Sequence, residues 1–467
     1  MALSATTVWE VQTGGSDTNG GGFKTGASGT DWTQQTAAQY SVTDAVTNGT
    51  TTITSATASF GTDVVGNVLY IAGGTGSIVA ARYEIVSRTN STTIVVDRST
   101  GLSAGTGATL KIGGALQTLA TLEASNVAGN KAWIKSGTYT LTSKVTLAIT
   151  GDATNGSVLW QGYQTTRGDN TGTQPDITSS TSALTLFESG LMAARKFKNI
   201  KFSHTGASRG IGFDSTAGPQ YPIFFDGCLF DGLATAVKCD NLGASNYGEV
   251  NLFGCRIINS TSAGLKATSG LVDSCIISDG SSVGVLVGAR GSIIAGQISF
   301  VNTIIESNAS HGISLGSCDR SPVDVQGCVF HNNTGDGIGS NAGTTGVLEV
   351  KNSIFTSNGG YGINVSAQSN RNAVYESNAF KSNTSGSYGT NTTAGTGDIT
   401  LTVDPFTDAA NQDFTLNATA GGGADLKSLA LPTTMPFGVT TTNKNIGVAQ
   451  NAYSAGGSGG LSTYAHA

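Results

Sequence analysis

Between residues 197 and 380 a six-residue phrase of apolar and small polar positions recurs eight times, from Phe-Lys-Asn-Ile-Lys-Phe (197–202) to Tyr-Glu-Ser-Asn-Ala-Phe (375–380). Its fourth residues are Ile200, Cys228, Cys255, Cys275, Thr303, Cys328, Ser353 and Asn378, and successive gaps are 28, 27, 20, 28, 25, 25 and 25. A period of this length marks a stacked repeat. The first position is Phe, Leu, Val or Tyr in every copy and the sixth is Phe or Ile, so both point inward. The third is always Asn, Gly or Ser, residues suited to a bend with positive φ. A second phrase runs in phase: Gly210-Ile211, Ala236-Val237, Gly264-Leu265, Gly284-Val285, Gly312-Ile313, Gly337-Ile338 and Gly362-Ile363. Each unit therefore holds at least two short strands that cannot bury an apolar face alone and must stack on neighbouring copies. The pattern predicts an all-β protein, a right-handed parallel β-helix (solenoid), with Phe225, Val325, Val350, Phe330, Phe355 and Phe380 buried in one continuous column. Cys228, Cys255, Cys275 and Cys328 share an inward slot and read as small buried hydrophobes.

Upstream, residues 131–141 alternate like a first rung. Ala115, Leu119 and Leu122 fall at i, i+4 and i+7, the spacing of a short helix capping the open end. Residues 51–58, 67–72, 82–87 and 92–97 break the period and read as strands of an inserted antiparallel β module, the last two joined across Arg88–Ser91. The expected division is an N-terminal segment 1–39, the module 40–112, the β-helix with its capping helix 113–400, and a C-terminal β segment with a flexible tail, 401–467, ending in Gly456–Gly460.

Composition narrows the class. Gly is 66 of 467 residues while charged residues are only 12 %, so the chain departs from ordinary enzyme composition. A net charge of −6 without a basic run along the chain removes the counterion release on which nucleic-acid affinity depends. No apolar run approaches membrane-spanning length. The first ten residues lack a basic stretch followed by an apolar one, so the expectation is a protein made in the cytoplasm without classical secretion. No cofactor or metal is expected: there is no CxxC pair and no Gly-Lys-Ser/Thr phosphate loop, and Asp17-Thr-Asn-Gly20 lacks the remaining ligands of a calcium loop.

The opening Val8–Phe23, the entry strand Ile134-Lys-Ser-Gly-Thr-Tyr139, the repeated rungs, and the closing Asp404-Pro-Phe406, Asp413-Phe-x-Leu416 and Asn445-Ile-Gly-Val448 together resemble the pectate-lyase-like β-helix superfamily. Within it, the β module and the missing export signal resemble the β-helical virion proteins of tailed bacteriophages. That resemblance implies a virion-located homotrimeric spike, tail fibre or surface decoration, contacting other virion proteins, a host surface or a bacterial surface glycan. A polysaccharide lyase or glycoside hydrolase on the same scaffold is the enzymatic alternative, and a bacterial surface adhesin is the third. Fold alone does not choose among them.

Candidate chemistry is sparse. Glu306 and His331 occupy one outward slot on adjacent rungs. His311, Asp336 and Tyr361 occupy another, just before the second phrase. These five read as a shallow glycan- or partner-binding face, as an acid–base patch built on Glu306 and His331, or as a solvated turn ladder without a role. Asp324 and Glu349, stacked one rung apart, are spaced as the two carboxylates of a retaining glycosidase would be.

Overall fold

A computed structural model describes residues 3–101, 103–170, 172–189, 194–215, 222–239, 249–288, 296–316, 322–340, 347–365, 372–390, 392–427, 429–430, 433–434, 440–441 and 445–447. Val448, the Gly456–Gly460 tail and the sixth cysteine, Cys318, lie outside these residues. The chain divides into two compact units, the first comprising Met1–Tyr139, Val145–Asp176 and Ala193–Ile200, the second Thr140–Lys144, Ile177–Met192 and Lys201–Ala467.

In the first unit the strand Thr7–Val11 pairs in parallel with Lys131–Lys135, which pairs with Val158–Tyr163, which pairs with Arg195–Lys198. Lys131–Lys135 is therefore not the first rung. One parallel strand precedes it, and the β module is inserted between the two. That module is a closed barrel ordered Tyr40–Asn48, Thr52–Thr54, Thr93–Val96, Ala81–Asn90, Val68–Ala72, Ala104–Ile112. Its interior is filled by Ile53, Ile85, Ile94 and Leu110, all fully buried. The strands Tyr40–Asn48 and Ala104–Ile112 were not expected, because register shifts between Val42 and Ala45 and between Ala45 and Thr47 break their period of two. A helix forms at Leu119–Ser125, shorter than the expected spacing because Thr118 caps its first turn by accepting from the Thr121 N–H, and Ala115 lies before it with its N–H donated to the Gln35 carbonyl. Asp17 accepts from the Gln117 and Thr118 N–H groups and the Thr118 hydroxyl, so its carboxylate braces this cap. The buried Glu123 carboxylate meets the Arg195 guanidinium at 2.6 and 2.7 Å and accepts from the Ala148 and Ile149 N–H groups, tying the helix to the sheet it covers.

In the second unit each six-residue phrase gives two strands, such as Val323–Gln326 and Val329–His331, and the Gly-led phrase a third, such as Ile338–Ser340. Copies pair in parallel and in register, so equivalent residues form columns. The inward residues form two ladders rather than one column. Phe225, Val325 and Val350 stand on the first sheet, Phe330, Phe355 and Phe380 on the second. All six are at most 2 % exposed. Phe355 stacks on Phe330 with centroids 4.7 Å apart and on Phe380 at 5.3 Å.

The bend between the two strands places every third-position residue in the left-handed region, including Gly254 (φ 57°), Asn302 (φ 48°) and Asn352 (φ 52°). A second left-handed position follows five residues later, at Asn259, Asp279, Ser307, Asn332, Ser357 and Ser382 among others. The next residue inward builds a buried ladder. Asn308 donates to Asn333 Oδ1 (2.9 Å), Asn333 to Asn358 (3.0 Å) and Asn358 to Asn383 (2.8 Å). The cysteine slot works the same way: the Cys275 N–H donates to Thr303 Oγ1, that of Cys328 to Ser353 Oγ and that of Ser353 to Asn378 Oδ1. The five described cysteines are buried, and burial pushes the Cys328 thiol up to about 12, so it stays protonated.

Two outcomes follow. Phe355→Asp places an unpaired carboxylate inside the stack, which costs several kcal/mol on the order of the whole stability of a domain; circular dichroism should lose its cooperative melt, and an unchanged melting temperature would overturn the register. Asn333→Ala strands buried groups on both neighbouring rungs and should cost about 2–4 kcal/mol at ~1–3 kcal/mol per unsatisfied group, read from urea denaturation.

Candidate functional site

The outward face of the second sheet carries an apolar column, Ile276, Ile304, Val329, Ile354 and Ala379, in register on successive rungs. An exposed column of this kind would be an aggregation hazard, and it is not exposed. The C-terminal segment covers it with Leu401, Phe406, Phe414, Leu416 and Leu426, arranged as the hairpin Phe406–Asp408 with Asp413–Leu416 and the turn of helix Gly423–Leu426.

Beside that column runs Ser278, Glu306, His331, Thr356 and Lys381. Glu306 and His331 are therefore adjacent, as expected, but they do not present an open surface. Glu306 is 3 % exposed, and its Oε1 is buried without a hydrogen-bond partner. Burial foremost, and then repulsion from Asp279, pushes its carboxyl up to about 7 against the pull of Gln412 and Arg256. Arg256 in turn donates to Gln412 Oε1 at 3.3 Å. His331 is half-buried with Phe406 and Phe414 edge-on at 6.1 and 5.4 Å, and its Nδ1 lies 2.8 Å from Thr356 Oγ1. Burial holds its imidazole below the usual range. Next to it opens a cleft of about 490 Å³ whose wall of His331, Asn332 and Ser357 faces Asp404, Phe406, Thr407 and Asp408 of the C-terminal segment. The sequence reading missed that second wall. Its signal was the outward apolar column, which requires a cover.

His311, Asp336 and Tyr361 also come together on three successive rungs, but not as a solvent-facing patch. His311 Nδ1 accepts from the Asp336 N–H (2.9 Å), and Asp336 Oδ1 accepts from the Tyr361 N–H (2.7 Å). Asp336 is 6 % exposed, and its second oxygen accepts from Asn364. These polar groups close the turns of neighbouring rungs, so the expectation that all five residues are accessible is corrected for Glu306 and Asp336. Asp324 and Glu349 are register partners on the first sheet. Asp324 is 2 % exposed, binds Gln326, and is pushed up to about 6 by burial and then by Glu349, whereas Glu349 pairs with Lys351. Among the described residues no group of three or more His, Cys, Asp and Glu side chains is placed to hold a metal ion.

Residues 193–384 match the protein family described as right handed beta helix region. No curated protein matches the chain. Among solved structures the chain is similar to the A-module of the mannuronan C-5 epimerase AlgE4 of Azotobacter vinelandii, with 11 % identity, 58 % of this chain and 91 % of that one covered, and a TM-score of 0.36. It is similar to a rhamnogalacturonan lyase at 12 % identity, covering 57 % and 69 %, with a TM-score of 0.36. It is also similar to the catalytic domain of a GH87 alpha-1,3-glucanase in complex with nigerose at 9 % identity, covering 79 % and 89 %, with a TM-score of 0.35. The fold is an all-β, right-handed parallel β-helix with few helices and a small antiparallel sheet module. None of these likenesses assigns chemistry to this chain.

Glu306 gives a pH test. A folded-state carboxyl raised to about 7 contributes stability that is present below the unfolded value near 4.5 and lost as pH rises through about 7. Glu306→Gln should therefore match wild type below about pH 4.5 and exceed it at pH 8 by up to about 3 kcal/mol, at ~1.4 kcal/mol per pH unit. Equal melting of the two proteins at pH 8 would remove the buried carboxyl from its assigned place.

Proposed function

We propose that this chain is a structural attachment protein of virion type, a homotrimeric spike or surface decoration made in the host cytoplasm, whose β-helix flank contacts a glycan or a neighbouring virion protein. One observation carries the reading: the His311, Asp336 and Tyr361 column is consumed in closing turns, Glu306 is buried under the C-terminal cover, and a cleft lined by His331, Ser357 and Asp408 opens beside it. Side-chain hydroxyls, amides and carboxylates around an apolar floor at Phe406 suit sugar hydroxyls and a ring face.

The second reading is a polysaccharide depolymerase. It is favoured by Asp324, whose carboxyl is pushed up to about 6 by burial and by its register neighbour Glu349, which itself pairs with Lys351. Against it stands the 2 % exposure of Asp324.

Binding of the purified protein to a panel of bacterial surface polysaccharides, with reducing-sugar release followed in the same tubes, separates the two. The attachment reading expects binding without release, and a drop of about tenfold or more in Ser357→Gly/Asp408→Asn, the size of one or two lost polar contacts at ~1–3 kcal/mol each. Ser357 sits at φ 57°, so glycine is tolerated there and the melting temperature should hold. Release of sugar that stops in Asp324→Asn would install the depolymerase instead. Sedimentation should give three times the 47.1 kDa chain mass, and a monomer at micromolar concentration would count against the trimer.

A further inference from the structure

Lys131, Trp133 and Lys135 stand at alternate positions of one strand of the first unit, so they share a face. Ala132 and Ile134 between them are fully buried, so that face is the outer one. The Lys131 ammonium lies 3.7 Å from the centroid of the half-buried Trp133 ring, and Tyr163 packs edge-on against the same ring at 6.1 Å. The parallel register then brings distant lysines to the same face. Leu159 and Gln161 lie beside Lys131 and Trp133, and Lys196 and Lys198 lie beside Leu159 and Gln161. A basic cluster invisible as a run along the chain is thus assembled by strand pairing, in a protein whose net charge is −6.

The carboxylates nearby are already engaged. Glu10, opposite Trp133 on its other side, is fully buried and bound by Arg167, Tyr163 and Gln12. Arg167 also pairs with Asp31 at 2.7 Å. Asp169 accepts three backbone N–H groups, from Gln164, Thr165 and Thr166. Lys131 feels the surplus: burial, then Lys198 and Arg167, lower its proton affinity.

We propose that this face binds an acidic glycan, its carboxylates between Lys131 and Lys135 and its sugar resting on the half-exposed rim of Trp133, whose ring face Lys131 covers. Lys196 and Lys198, which have contacts of their own, supply the surrounding positive potential. An aromatic rim flanked by ammonium groups matches a sugar with an apolar patch and an anionic edge. Lys131 and Lys135 are about 13 Å apart along the strand at ~3.3 Å per residue. The patch is small, and the acidic remainder of the chain repels a long phosphate backbone, which favours a sugar over a nucleic acid. This surface is distinct from the cleft at Asp404 and Asp408 and stands or falls without it.

The test is affinity electrophoresis of the full chain through gels containing hyaluronate, dextran or single-stranded oligothymidylate. Wild type should be retarded by hyaluronate and not by dextran, with retardation fading as salt rises from about 50 to about 300 mM and the screening length shortens. Lys131→Gln/Lys135→Gln should lose at least about tenfold in affinity at an unchanged melting temperature, whereas Ser357→Gly/Asp408→Asn should retain it. Trp133→Leu should weaken binding as well; if that variant misfolds, the lysine pair decides. Absence of wild-type retardation by hyaluronate, equal retardation by dextran, tighter binding of oligothymidylate, or full affinity in the lysine variant each overturns the proposal.

Discussion

Everything in the solenoid depends on a backbone turned through the left-handed region at two places per rung, five residues apart, as at Asn302 and Ser307 or Asn352 and Ser357. A β-branched or bulky residue there costs ~1–2 kcal/mol at each site, so the chain places Gly, Asn, Asp and Ser at them. Because both bends recur in register, each strand starts at the same height as its predecessor, and like residues fall on like residues. The phenylalanine stack of Phe330, Phe355 and Phe380 and the asparagine ladder are consequences of that geometry rather than independent features.

In-register stacking has a chemical cost: a polar residue in an inward slot meets polar or apolar neighbours above and below, with no water to complete it. The chain resolves this by letting each side chain serve the rung before it. Asn333 takes the N–H of Asn308, and Asn358 takes that of Asn333, while each amide also donates to the next oxygen. His311 and Asp336 extend the same device to a turn, which is why an imidazole and a carboxylate one rung apart look like acid–base partners in the sequence yet act as backbone acceptors in the fold.

The repeat, the inward positions, the third-position bends and the capping helix were legible because each is a local pattern repeated or reinforced along the chain. The barrel was half legible: its central strands alternate cleanly, while Tyr40–Asn48 carries bulges that erase the period. The candidate residues were placed on the correct slots, but their exposure was not legible. Outward from a solenoid means exposed only where nothing lies on top, and what lies over Glu306 and His331 comes from residues far along the chain. The lysine face escaped for the same reason. Composition and runs are one-dimensional, and Lys131 comes into line with Lys196 only through Leu159, as Trp133 does with Lys198 through Gln161.

The cover also explains how a buried acid and a buried base can sit side by side. Docking Phe406 and Phe414 against the sheet desolvates His331, which then resists protonation, while burial and the nearby Asp279 favour the neutral form of Glu306 against the pull of Gln412. The two shifts act in opposite directions on stability. His331 lowers it as pH falls below its unfolded value near 6.5, whereas Glu306 lowers it as pH rises from about 4.5 towards 7. Across the overlap between those limits the losses offset, so the covered face keeps a flatter pH profile than either group alone would give. An apolar pair in the same two slots would pack at least as well, but would leave the adjoining cleft without its imidazole wall. A carboxyl and an imidazole kept under the cover, beside a covered column that is otherwise apolar, depart from the pattern of that face, and such departures concentrate at sites that do more than hold the chain together.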